Sequence, residues 1–147
     1  MAEKFKYFTL KELCKSDTAE ARNIENFPTF EIVEHLSVFV EYILDPLREA
    51  WGSAIKVTSG FRNDIVNALV GGSDTSVHKL GWAVDLQPMN GDFEGFKYFV
   101  QVWLTKNNKM FDQLLVESDS KGNQWIHIGL FNNTGQQRKQ IKTMYVA

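Results

Sequence analysis

Two histidines and an aspartate are the residues of this 147-residue chain whose types and spacing could do chemistry. His78 and Asp85 frame Ser76-Val77-His78-Lys79-Leu80-Gly81-Trp82-Ala83-Val84-Asp85, in which a small-residue turn enters an apolar strand. Zinc is held by imidazole nitrogen and carboxylate oxygen at roughly 2.0–2.2 Å, and a catalytic zinc keeps three protein ligands and one open position. His127 in Gln124-Trp125-Ile126-His127-Ile128-Gly129 is the candidate third ligand. Strand alternation there places Trp125, His127 and Gly129 on one face. Such a site acidifies a water to a pKa near ~7 and polarises a carbonyl, the chemistry of peptide hydrolysis. The plainer reading of the pair is a surface histidine and a strand-end or capping aspartate.

Hydrolysis also needs a group that accepts a proton and passes it to the leaving nitrogen. Two carboxylates near the histidine strand qualify, Glu117 and Asp119. Glu117 is preferred, because it ends Leu114-Leu115-Val116 and stands across a hairpin from Gln124 and Trp125. Ser76 is placed to orient His78 or a ligand carboxylate, as hydroxyls beside metal sites do. Trp125 either lines a substrate cleft or supports the strand that carries His127.

The set Ser76, His78, Gly81, Ala83 and Asp85, followed by Trp125 and His127, resembles the zinc peptidase superfamily of D-alanyl-D-alanine carboxypeptidases, D-Ala-D-Ala dipeptidases and phage L-alanyl-D-glutamate endopeptidases. Val57-Thr58-Ser59-Gly60-Phe61-Arg62 is similar to that family's arginine-bearing turn, and Asn67 to Gly72 to its Asn-x-x-x-Gly-Gly run. Phe8 to Leu13 and Leu44 to Arg48 fit the carboxypeptidase-like branch, so the likeness runs over about residues 7 to 130. The resemblance implies one zinc per chain on His78, Asp85 and His127, and an Arg62 that steadies an oxyanion or grips a substrate carbonyl. It further implies action on the peptide stems of peptidoglycan, as a carboxypeptidase or an endopeptidase, with a phage or prophage endolysin as one form of such an enzyme. An intracellular dipeptidase or carboxypeptidase is the near alternative. Several members of the superfamily place an acidic base three residues before the last histidine, where this chain has Gln124, which cannot accept a proton. That departure keeps open a second class, a non-catalytic zinc-binding interaction domain of the hedgehog-like kind.

The elements that must position these residues follow from periodicity. Thr9 and Glu12 form a capping-box pattern for a helix from Leu10 to Lys15, punctuated by Ser16, Asp17 and Thr18. Phe30 to Leu44 carries Ile32, Leu36, Phe39, Val40 and Ile43 at helical spacing, and Pro46 either kinks this helix or starts a second segment ending at Trp51. His35 lies within it and reads as structural. Strands are expected over 54–59, 82–86, 111–117 and 124–128, and helices over 62–69 and 92–106. Trp82 and Val84 should turn away from the Asp85 face into the core. The fold class is therefore α+β, a small antiparallel sheet carrying the zinc site and packed against amphipathic helices.

Hydrophobic residues at 44%, charged residues at 23% and a net charge of −2 describe one ordinary globular domain, residues 1–147. That near balance argues against nucleic-acid binding by phosphate neutralisation. The sole cysteine, Cys14, excludes an intrachain disulfide and has no histidine beside it to make it a nucleophile. The first residues show no secretory signal and no stretch of the chain suits membrane insertion, so the expectation is a monomer made in the cytoplasm that reaches the wall through a separate export or lysis factor.

Overall fold

A computed structural model describes residues 5–146. The expectation of no secretory signal rests in part on residues 1–4, which lie outside the described residues. Two short helices open the chain, α1 (Leu10–Leu13) and α2 (Asp17–Ala21). Thr9 caps the first, as its spacing from Glu12 implies. Ser16, expected to end that helix, instead accepts the Ala19 amide and caps the second. A long helical rod then spans residues 30–51 as α3 (Phe30–Phe39), a π-helical stretch (Val40–Leu44) and α4 (Asp45–Trp51). Pro46 sits in the first turn of α4, where a missing N–H costs little, and the wider π turn precedes it. The rod therefore continues through the proline, and Gly52, at φ +80°, ends it.

The remaining elements are β1 (Ile55–Ser59), α5 (Asp64–Leu69), a 3-10 turn (Val77–Leu80), β2 (Ala83–Pro88), α6 (Phe93–Lys106), β3 (Gln113–Asp119), β4 (Gln124–Gly129) and β5 (Gln140–Val146). They form one sheet in the order β1-β2-β4-β3-β5. All pairs are antiparallel except β3 with β5, which is parallel, so the sheet is mostly rather than wholly antiparallel. β5 lies beyond the stretch for which the sequence offered any counterpart.

The sheet has two unlike faces. Val84, Leu86, Leu114, Ile126 and Ile128 point to one, where they are buried with Leu36, Phe39, Ile43 and Leu47 of the rod and Phe96, Val100 and Leu104 of α6. Each large side chain so buried stabilises the fold by about 1.5–3 kcal/mol. By the same alternation Asp85, Glu117, Trp125 and His127 point to the other face. Val84 follows its expected place in the core. Trp82 packs against the core from its margin: it precedes β2, is half-buried, and stacks on His35 at 4.1 Å with Phe131 at its edge. His35 is structural as read, its Nδ1 donating to the Leu80 carbonyl at 2.6 Å.

Candidate metal centre

Three neighbouring backbone segments deliver the candidate ligands. Asp85 of β2 stands directly opposite His127 of β4 in the antiparallel register, so both side chains leave the same face side by side. A bulge between Val57 and Ser59 resets β1 and puts Ser59 opposite Asp85. The chain then turns through Gly60, where a Cβ would collide with the Leu13 carbonyl; only glycine allows this approach to α1. The Gly60 carbonyl accepts from Nδ1 of His78 at 2.8 Å, which fixes the ring and leaves Nε2 facing the other two residues. His78 itself rides on the 3-10 turn, capped by Ser76 and closed by Gly81 at φ +75°, where a side chain would press on Ile32.

Among the described residues, His78, Asp85 and His127 are the group whose ligand atoms all lie within 4.8 Å of one another. Two ligands 2.0–2.2 Å from a common ion at the tetrahedral angle stand roughly 3.3–3.6 Å apart. His78 Nε2 and Asp85 Oδ1 are 3.4 Å apart, already at that spacing. His127 Nδ1 and Asp85 Oδ1 are at 2.9 Å, a hydrogen bond that an ion between them would open by roughly half an ångström. Two imidazoles and one carboxylate are a zinc donor set, so these residues fit the ion.

Electrostatics at His78 and Asp85 agree with that assignment, whereas at His127 they favour the protonated ring, whose proton an ion would displace. Burial pulls the His78 imidazole below its usual range, against the attraction of Asp85, which favours the neutral ring a metal requires. Burial alone would raise Asp85, but the charge of His78 and the hydrogen bonds from both rings outweigh it and hold the carboxyl well below the ordinary range. Burial likewise opposes charge on His127, yet the hydrogen bond and charge of Asp85 prevail and raise it. Asp85 is thus an anion at neutral pH, with two nitrogens aimed at its oxygen.

A cavity of about 550 Å³ opens onto this trio and is also lined by Arg62, Ser76, Glu117 and Trp125. Arg62 donates from Nη2 to Ser76 Oγ at 3.3 Å, while its buried Nε has no hydrogen-bond partner among the described residues. Burial lowers its pKa, and Asp85 and Glu117 oppose that by favouring the charged form. Arg62 stands outside α5, whose cap is Asn63; it was expected to begin that helix. Ser76 Oγ also accepts the His78 amide at 3.3 Å, so it ties the arginine to the histidine turn.

Glu117 pairs with Trp125 across β3 and β4, and its Oε1 accepts from Trp125 Nε1 at 2.8 Å. Trp125 thereby both lines the cavity and holds the carboxylate. Asp119, the alternative base, lines a neighbouring cavity of about 580 Å³ that shares Asp85 and Trp125 with the first. Its carboxylate is occupied by the amides of Lys121 and Asn123 in the hairpin turn. Gln124 is not brought to the site: it alternates with Trp125 onto the other face, at the exposed end of β4, and pairs with Ser118. A larger groove of about 720 Å³ between α1, α2 and residues 23–28 contains no metal-ligating trio.

Two features had no counterpart in the sequence reading. Asn26 ties the arginine turn together, with Nδ2 donating to the Cys14 and Phe61 carbonyls at 2.9 Å and Oδ1 accepting the Asn63 amide at 2.8 Å. Asp112, which is 2% exposed, grips Arg138 at the edge of the cavity. A polar residue among turn signals, such as Asn26, announces no partner 35 positions away.

No curated protein matches the chain. The model of the family described as Peptidase M15 matches residues 6–129, which include every residue of the metal trio together with Arg62 and Glu117, and so the chain belongs to the Peptidase M15 family.

Proposed function

We propose that this protein hydrolyses the peptide stems of bacterial peptidoglycan, with Glu117 as proton acceptor and Arg62 as carbonyl anchor. Membership of the family makes it a zinc-dependent metallopeptidase. The substrate class is supported by the likeness of its motifs to wall-peptide hydrolases and by a cavity of about 550 Å³, which suits a few residues of a short peptide. The observation that carries the enzymatic reading is Glu117: its carboxylate shares the cavity with the metal trio and is held there by Trp125 at 2.8 Å. A domain that only bound zinc would gain nothing from an oriented carboxylate at that place.

Zinc on His78, Asp85 and His127 would supply Lewis-acid polarisation of the scissile carbonyl and an acidified water. The chain's own residues do the rest. Arg62, charged and fixed through Ser76, donates to the carbonyl oxygen as negative charge develops there. Glu117 accepts the proton of the attacking water as the new C–O bond forms. It then returns that proton to the nitrogen as the C–N bond breaks, so the carboxylate is regenerated. Trp125 limits the side-chain freedom of Glu117 and keeps it in reach of both partners.

Digestion of purified peptidoglycan by the zinc-loaded protein, followed by mass spectrometry of the new termini, tests this. Release of defined stem fragments, abolished in Glu117→Gln, is expected. An intact sacculus after prolonged digestion, with the same protein cutting no D-amino-acid peptide, would overturn the proposal. The termini also identify the bond.

A further inference from the structure

The family match ends at residue 129, yet the cavity continues past it, since Asn132, Asn133, Arg138 and Val146 line it too. This wall is fastened to the sheet at Asp112, just before β5 pairs with β3. Asp112 Oδ1 accepts from Arg138 Nε at 2.7 Å and from the Arg138 amide at 3.1 Å, and Oδ2 accepts from Nη2 at 2.8 Å. The amides of Lys139 and Gln140 then bond to the carbonyls of Phe111 and Asp112, and Lys139 takes φ +55° as the chain swings into β5.

The pair is lopsided. Asp112 is 2% exposed and both of its oxygens are used, whereas the Arg138 side chain remains 39% exposed along the cavity. A guanidinium has five N–H donors in a rigid fork. Asp112 takes two of them, at Nε and Nη2, and leaves a charged edge free. An arginine already fixed by a buried carboxylate loses little further side-chain freedom when it takes a second one. If Asp112 served only to anchor β5, an interior pair closed to solvent would do that equally well.

We propose that Arg138 is a specificity-determining residue that binds a carboxylate of the peptide substrate, with Asp112 as the residue that positions it. This rests on the peptidase reading above. The carboxylate could be the α-carboxylate at the peptide's end or a side-chain carboxylate beside the scissile bond, and the two sources make the enzyme a carboxypeptidase or an endopeptidase respectively.

Three versions of the cleaved stem peptide separate these: unmodified, amidated at the C-terminus, and carboxamidated at the side chain. With the wild-type protein, one modification should lower kcat/KM at least about tenfold, chiefly through KM, and the identity of that peptide names the source. Arg138→Gln should cut the unmodified peptide with the same loss and no longer distinguish the versions, while Arg138→Lys should recover part of the difference. Equilibrium binding of the three peptides to Glu117→Gln reads the same preference without turnover. Wild-type protein indifferent within twofold to both modifications overturns the proposal, even if Arg138→Gln fails to fold. So does an Arg138→Gln variant that discriminates as the wild type does. Failure of the wild type to cut any peptide would instead remove the peptidase reading, with binding left to decide whether Arg138 takes a carboxylate.

Discussion

Glu117→Gln separates proton acceptance from everything else this residue does. The side chains are nearly isosteric, and the glutamine amide oxygen can still accept from Trp125 Nε1, so the 2.8 Å contact survives in weaker form. Exchanging a charge-assisted hydrogen bond for a neutral one costs about 1 kcal/mol. In a domain of this size that lowers the Tm by about 2–4 °C. Zinc content should not change, because the metal trio does not include Glu117. Turnover should fall about 10²–10⁴-fold, the usual worth of a positioned general base, which corresponds to about 3–5 kcal/mol on the barrier. Gln124→Ala is the matched control: its side chain leaves the opposite face of β4, and a change within about threefold is expected. The assay is hydrolysis of a defined stem peptide by mass spectrometry, with zinc content and thermal melting measured on the same samples. Wild-type turnover in a zinc-loaded, folded Glu117→Gln protein, or a larger loss from Gln124→Ala, would show that the proton goes elsewhere.

Other perturbations probe the metal trio and its surroundings. His127→Ala should abolish stoichiometric tight zinc, since a carboxylate and one imidazole leave an incomplete site; elemental analysis after dialysis checks this, and full retention would exclude His127 as a ligand. Chelation should end activity while leaving the far-ultraviolet circular dichroism native, because the core of Leu36, Phe39, Phe96 and Ile128 lies on the opposite face of the sheet. Collapse of that spectrum would mean that the metal holds the fold. Burial pushes the Asp112 carboxyl up, but its bonds with Arg138 prevail and hold it below the ordinary range. Its contribution is therefore full above a pH of about 4 and lost as pH falls through the depressed value. Asp112→Asn should be less stable than wild type by about 1.5–3 kcal/mol at pH 7, with the gap narrowing as the pH falls below about 4. A constant gap across that range would refute the assignment.

The convergence of His78, Asp85 and His127 was legible from the motif they share with zinc peptidases and from the local alternation of their strands. Strand alternation decides which face His127 takes, and Gly81 closes the short turn that carries His78. That Glu117 stands across the hairpin from Trp125 was legible in the same way, since a hairpin register is a short-range property. What stayed hidden depends on partners distant in sequence. Nothing local pairs Asp112 with Arg138, 26 positions on, or marks Gln140–Val146 as a strand parallel to β3. Ser16 was misread because a capping serine serves equally to end one helix and to begin another. Pro46 does start a second segment, α4, ending at Trp51, because a proline is tolerated in a helix's first turn; what the sequence does not announce is the π stretch that joins it to α3.

The strand order carries a consequence for how the molecule comes to exist. β4 is inserted between β2 and β3, although β3 precedes it along the chain. The hairpin of β3 and β4 is joined by a short turn at 120–123, a contact of the kind that forms fast, whereas docking β4 against β2 joins segments far apart in the chain and is expected to follow. Asp85 and His127, 42 positions apart, meet only in that docking step. Before that step the three candidate ligands are not together, so an ion held by all of them would be captured by a nearly complete domain rather than template the early chain. Zinc added during refolding should leave the early phases at their metal-free rates and slow only unfolding, which would make the ion a lock on the finished protein rather than a nucleus for it.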